Sequence, residues 1–163
     1  MGKKDGKIRV RRAKAGDKGL FLKLWAEYLG DESLLAAGGV PPTEHNLEIF
    51  EQVFEGYVSG SYDGVVLLHA EDAVLMWGDP GGQLFESAFG RQAQGWGVYV
   101  RKSLRGKGVA EALQRKAVNI LRDMKFDTVC GNVNPMDEKS VTANAEFGFF
   151  PGVMLVHYDL KDS

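Results

Sequence analysis

The sequence predicts one mixed α/β domain: a short strand and two helices, then strands, a helix, a strand, a helix and a last strand. Three observations carry this. Apolar residues recur at helical spacing in three windows, and short apolar blocks bounded by turn residues fill the space between them. The third is size: 163 residues suit a single core, with no interdomain linker and no internal repeat.

The elements follow in order. Residues 8–12 read as an edge strand, with Arg9 and Arg11 on its wet face and Ile8 and Val10 turned inward. Asp17 is the expected N-cap of a helix with Leu20, Phe21, Leu24, Trp25, Tyr28 and Leu29 on one face, closed by Gly30. Residues 31–42 are expected to be loop, on Gly38, Gly39, Pro41 and Pro42. A second amphipathic helix buries Leu47, Phe50, Phe54, Tyr57 and Val58. Asp63-Gly64 turns into a strand over residues 65–70, and Glu71-Asp72 turns that strand into its hairpin partner at 73–77. Residues 78–95 are expected to be a long glycine-rich connection with a helical turn near 84–89. A strand at 97–100 follows. Val109, Leu113, Ala117, Ile120 and Met124 define a third long helix. Residues 128–133 read as a buried strand, 138–147 as a short helix ended by Gly148, and 154–160 as a last strand.

Composition narrows the function classes. Glycine is in excess, 21 residues against a usual share of about 7%, and it clusters at 78–82, 90–97 and 106–108, where turns or close backbone approach to a ligand are expected. The net charge is −2, yet the first 18 residues carry eight Lys or Arg against Asp5 and Asp17. Such an arm could meet nucleic acid, but alternation with Ile8 and Val10 favours plain solvation. A single cysteine, Cys130, excludes an intrachain disulfide, and no Cys/His cluster has zinc spacing. No apolar run approaches the roughly 18 residues of a membrane span, and the N-terminus is too charged for a signal peptide, so a cytoplasmic location is expected.

The chemistry centres on Val98-Tyr99-Val100 followed by Arg105-Gly106-Lys107-Gly108-Val109-Ala110. A strand feeding a glycine turn and then a helix N-terminus makes an anion site: unpaired N–H groups point outward and the helix dipole adds about half a positive charge. Gly108 lets the backbone approach a phosphate, and Arg105 and Lys107 add positive charge. By itself this is equally the signature of a tight strand-to-helix turn. The loop is neither a nucleotide-binding P-loop nor a dinucleotide fingerprint, since both glycine spacings are missing.

Arg105-x-x-Gly108-x-Ala110 resembles the (Gln/Arg)-x-x-Gly-x-(Gly/Ala) signature of the GNAT superfamily of N-acetyltransferases. Asp137-x-x-Ser140 and Gly148-Phe149 resemble its second motif, one helix and one strand later, and the resemblance covers nearly the whole chain. It implies a mostly antiparallel, splayed sheet flanked by helices, with acetyl-CoA in the splay. The backbones of Val98 and Val100 would bind the pantetheine arm as an added strand does. The amides from Arg105 through Gly106, Lys107, Gly108 and Val109 to Ala110 would hold the pyrophosphate. Asp137 and Ser140 would lie near the cofactor's distal part.

Two departures from the family stand out. A tyrosine that protonates the leaving thiolate in many members is replaced by Asn144, which donates a hydrogen bond but delivers no proton as an acid. A glutamate common on the pantetheine strand is missing too, as residues 91–100 hold no carboxylate. Glu86 and Asp79, in the connection before that strand, are the best-placed acids, each equally readable as an ordinary loop carboxylate. Cys130 is expected to be a small core residue rather than a nucleophile. His45 is expected on a helix surface, while His69 and His157 stay open between core and cleft. The expected activity is direct acetyl transfer from acetyl-CoA to an amine, with no metal and no membrane partner. The loops at 31–42 and 78–95 carry few charges of one sign, so the acceptor is open, as is a homodimer. A non-catalytic acyl-CoA sensor of the same fold and a nucleic-acid-directed acyltransferase are the alternatives.

Overall fold

The computed structural model describes residues 7–81 and 87–152. The chain divides into two compact units, Met1–Asn132 and Val133–Ser163. In the first unit the five described strands form one sheet in the order β1-β2-β3-β4-β5. Strands β1 (Arg11–Arg12), β2 (Gly64–His69), β3 (Ala73–Gly78) and β4 (Gln92–Val100) pair antiparallel in succession, and β5 (Thr128–Gly131) joins β4 in parallel.

Strand β1 is shorter than its alternation predicts, because only Arg11 and Arg12 enter the ladder, opposite Leu68 and Leu67. The residues before it are tied by side chains: Lys116 Nζ donates to Val10 O at 2.7 Å, and His69 Nδ1 lies 2.9 Å from Arg9 O. His69 is therefore a tack for the N-terminal arm. Arg9 and Arg11 are exposed and Ile8 and Val10 half-buried, as the alternation requires.

Helix α1 (Lys18–Leu29) buries Phe21, Leu24, Trp25 and Leu29. Asp17 stands at its N-cap position without capping it. Its carboxylate instead takes the Lys14 N–H at 2.8 Å and the Arg11 guanidinium at 2.6 and 2.8 Å, a charge pair that outbids a neutral amide. The expected loop at 31–42 contains a short helix, α2 (Glu32–Ala36), because the Asp31 carboxylate accepts the N–H groups of Ser33 and Leu34. The glycines and prolines after it end the helix without preventing it. Thr43 caps α3 (Glu44–Ser59), and Gly60 closes it at φ 78°.

The stripes of α1 and α3 meet in an aromatic core, with Phe21 and Phe54 rings 4.7 Å apart and Trp25 and Phe50 5.4 Å apart. This core covers the sheet face carrying Val66, Leu68, Val74 and Met76. Helix α4 (Val109–Asp123) packs on the same strands with buried Val109, Leu113, Ala117, Ile120 and Leu121. Strands β2 and β3 are thus buried on both faces, which is why they read as continuous apolar runs.

Two expectations fail here. Strand β4 starts at Gln92, inside the expected connection, and spans nine residues. Strand β5 is not buried: it ends at Gly131, and Cys130 is exposed rather than a core residue, because among the described strands β5 is the sheet edge. In the second unit, α5 (Glu138–Phe147) ends at Gly148 with φ 115°, and Phe149 N donates back to Asn144 O at 2.9 Å. The expected strand at 154–160, with His157, lies outside the described residues.

Candidate functional site

Strand β4 changes phase half-way along. Gly97 pairs with Met76 but Gly95 pairs with Trp77, so Trp96 is an extra residue, a β-bulge. The bulge puts Trp96 and Gly97 successively on the α1/α3 face. Trp96 fills its place there, and a Cβ on Gly97 would fall within the Tyr28 ring.

The backbone phase follows from one bond. Arg101 N donates to Asp72 O at 2.9 Å, so odd positions back to Gly97 turn their polar groups toward β3. Val98 and Val100 turn theirs to the opposite edge. Beyond the Gly95–Gly131 pair no described strand covers that edge. Among the described residues a five-residue stretch of β4 is therefore open on one side, with Val98 presenting its N–H and C=O and Val100 its N–H, the Val100 carbonyl already accepting from Arg105 Nε.

The open edge leads into the glycine turn. Arg105 Nε donates to Val100 O at 2.9 Å and Lys107 Nζ to Ser103 O at 2.9 Å, so both cations stitch the turn and keep their charge beside it. Gly106 and Gly108 have φ of 74° and 79°, a left-handed backbone that side-chain-bearing residues rarely adopt. No described residue accepts the backbone N–H of Gly106, Lys107, Gly108, Val109 or Ala110; the first α4 bond is Ala112 N to Gly108 O at 3.0 Å. Five successive amides at a helix N-terminus are thus left without a described acceptor, at the turn where the sequence predicts an anion site.

At the other end of the open edge, Trp96 Nε1 donates to Tyr57 Oη at 2.9 Å, and Tyr57 Oη donates to Asp79 O at 2.6 Å. Burial, against a pull from the Trp96 N–H and with a further push from the Asp79 charge, raises the Tyr57 phenol to about 12. Burial also raises Tyr28, with a push from the Asp31 charge. Trp96 is therefore flanked by two phenols held neutral, each within electrostatic reach of an acid. Asp79 itself closes a turn, its Oδ1 accepting Gly81 N–H at 2.9 Å.

Glu86 lies outside the described residues. Asp137, Ser140 and Asn144 fall in the second unit, where they bond to one another. Asp137 caps α5, accepting the Ser140 N–H at 3.2 Å and its hydroxyl at 2.8 Å, and these bonds hold its carboxyl below the usual range. Asn144 Nδ2 donates to Ser140 O at 2.8 Å. Sequence reading places both tyrosines on the core faces of their helices, where they lie, but does not bring them to Trp96. The signal available was Trp96-Gly97, a large and an absent side chain adjacent in a strand.

One further pattern lies in the charge. Residues 24–90 contain twelve Asp and Glu and no Lys or Arg. They build α2, α3, the β2–β3 hairpin and the approach to β4. Several of these acids have cation partners elsewhere, Glu27 with Arg101, Glu51 and Glu55 with Lys18, and Asp63 with Arg91.

No family model and no curated protein matches the chain. Solved structures do. The aminoglycoside N-acetyltransferase AAC(6')-Iy, in complex with a CoA-linked bisubstrate analogue, superposes with a TM-score of 0.71 at 10% identity, over 94% of this chain and 98% of that one. The aminoglycoside 6'-N-acetyltransferase AAC(6')-IG from Acinetobacter haemolyticus gives 0.66 at 17% identity, over 93% and 97%. A mutant of the BH1408 protein from Bacillus halodurans gives 0.72 at 14% identity, over 94% and 99%. The chain has the GNAT fold. The gap past Gly95 lies between the two strands where the sequence resemblance predicts a splay, and the glycine turn on which that resemblance rests opens α4.

Proposed function

We propose that the protein transfers an acetyl group from acetyl-CoA directly to an amine, and that residues 1–163 act as one acetyltransferase domain. The observation that carries this is the open edge of β4 running into a left-handed glycine turn at the N-terminus of α4. An extended pantetheine arm is matched by the backbone of Val98 and Val100, and a pyrophosphate by the amides of residues 106–110. The aminoglycoside acetyltransferase neighbours, one of them bound to a CoA conjugate, support the same use of the fold.

The reaction balances without a covalent enzyme intermediate. The amine nitrogen attacks the thioester carbonyl, the C–N bond forms, the C–S bond breaks and CoA leaves as a thiolate that takes up one proton. The amine gives up one proton to a base. Asp79 is the described candidate for that base, working through water, with Glu86 the alternative from the same connection. Asn144 would assist the thiolate only as a hydrogen-bond donor, and Asp137 and Ser140 keep the cofactor-side role their motif implies. No step calls for a metal. The acceptor is proposed to be cationic, because residues 24–90 hold twelve acids and no Lys or Arg, an excess that Lys18, Arg91 and Arg101 offset only in part and that would draw in a positive amine.

Acetyl-CoA supplied with a panel of mono- and polyamines, aminoglycosides included, tests this by CoA release and by a 42 Da product gain expected for acetylation. CoA release no faster than background hydrolysis with every amine would favour the sensor reading, which the missing tyrosine at 144 and the carboxylate-free strand keep in view.

A further inference from the structure

The Trp96 bulge decides which backbone atoms face the open edge. Without an extra residue, alternation from Ala93 and Gly95 would carry on to Gly97 and Tyr99, and Val98 and Val100 would face β3. A bulge is a local feature, and nothing in the ladder itself ties it to one position: Gly95 and Gly97 flank it and impose no side-chain register.

The marker of its position comes from the helices. From α3, Tyr57 Oη accepts the Trp96 indole N–H and donates its own O–H to the Asp79 carbonyl. The directions are fixed, since an indole N–H only donates and a carbonyl only accepts. From α1, Tyr28 Oη donates to Trp96 O at 3.4 Å, with its ring in the space beside Gly97. Tyr57 is therefore bonded at once to the extra residue of β4 and to Asp79, the residue that follows β3, linking the two strands whose register the bulge shifts.

We propose that Tyr57 is a positioning residue: by gripping Trp96 it fixes the bulge in β4, so that Val98 and Val100 present their backbone to the acyl carrier. Its kinetic consequence rests on the acetyl-transfer reading; its structural consequence does not. The grip lies at the bulge end of the edge and the pyrophosphate turn at the other. Loss of the grip therefore misorients the thioester and leaves carrier binding nearly intact.

The test compares Tyr57→Phe, Trp96→Phe and the double variant with Phe54→Leu, a cavity one turn back on α3 that lowers stability without touching the grip. Each single variant at the grip is expected to lose about 10-fold in kcat with KM for acetyl-CoA within about 2-fold, and the double variant no more than the worse single. Phe54→Leu keeps kcat. Amide hydrogen exchange provides an arm that needs no turnover: Gly97 protection falls about 10-fold in Tyr57→Phe and stays in Phe54→Leu. An unchanged kcat in Tyr57→Phe, or a double variant as low as the product of the singles, overturns the proposal. If the wild type releases no CoA with any amine, the acetyl-transfer reading fails. Exchange at Gly97 then decides the grip, and equal protection in Tyr57→Phe and wild type overturns it.

Discussion

Gly108→Glu separates the anion site from an ordinary helix start. Gly108 sits at φ 79° before α4, and a Cβ there would meet only Ile8 Cδ1 at 3.7 Å, so the residue is constrained by backbone rather than by space. A side chain in that left-handed conformation costs roughly 1–2 kcal/mol. A carboxylate at a helix N-terminus returns about 0.3–1 kcal/mol, so the free protein loses only about 1 kcal/mol and stays folded. Binding suffers more. One added charge about 5 Å from a phosphate costs about 0.8 kcal/mol in water and about 3.3 kcal/mol at an effective dielectric of 20, or about 4- to 250-fold in affinity. The loss should shrink as salt is added. Gly106→Ala is the control, with the same backbone sign, no atom near its Cβ and no new charge. Calorimetry with CoA at low salt, beside thermal melts of each variant, reads both effects. A folded Gly108→Glu protein that binds CoA as the wild type does would refute the placement of the pyrophosphate on this turn.

Three further outcomes are expected. Asp79→Asn or Glu86→Gln should cut kcat about 10²-fold with acetyl-CoA affinity intact, whichever supplies the base; pH–rate profiles identical to wild type in both would send the proton to bulk water. Cys130→Ala should keep turnover within a few-fold, since the thiol is exposed at the strand edge, and an acetyl group trapped on Cys130 by rapid-quench mass spectrometry would count against direct transfer. The Arg11 guanidinium holds Asp17 down to about 2, from an ordinary value near 3.8. A depressed acid stabilises the fold above its unfolded value and loses that contribution as pH falls from about 4 to about 2. Asp17→Asn should therefore be destabilised at pH 7, by no more than about 1 kcal/mol for so solvated a pair, and match the wild type near pH 2 in melts.

What the sequence determined by itself was whatever repeats along one element. The stripes of α1, α3 and α4 are set by 3.6-residue spacing, and each appears with most of its expected residues buried, Leu20, Tyr28, Leu47, Val58 and Met124 being half-buried at the margins. The glycine turn is equally local, because a left-handed backbone at Gly106 and Gly108 is a property of those residues before any partner arrives. The first half of strand β4 was hidden for the opposite reason, while its second half, at 97–100, appears as expected. Gln92, Gln94, Gly95 and Gly97 carry no alternating apolar pattern, and the bulge breaks the period that remains, so pairing to β3 and β5 alone makes it a strand. Cys130 was misread because a short apolar run looks the same at a sheet's centre and at its edge, and sheet order decides which it is. The contact between Tyr57 and Trp96 lies 39 residues apart in the chain. Helical spacing put Tyr57 on the right face of α3, but only packing α3 over the sheet brought its hydroxyl to the bulge, because hydrogen bonds of this kind depend on distances that no local period encodes.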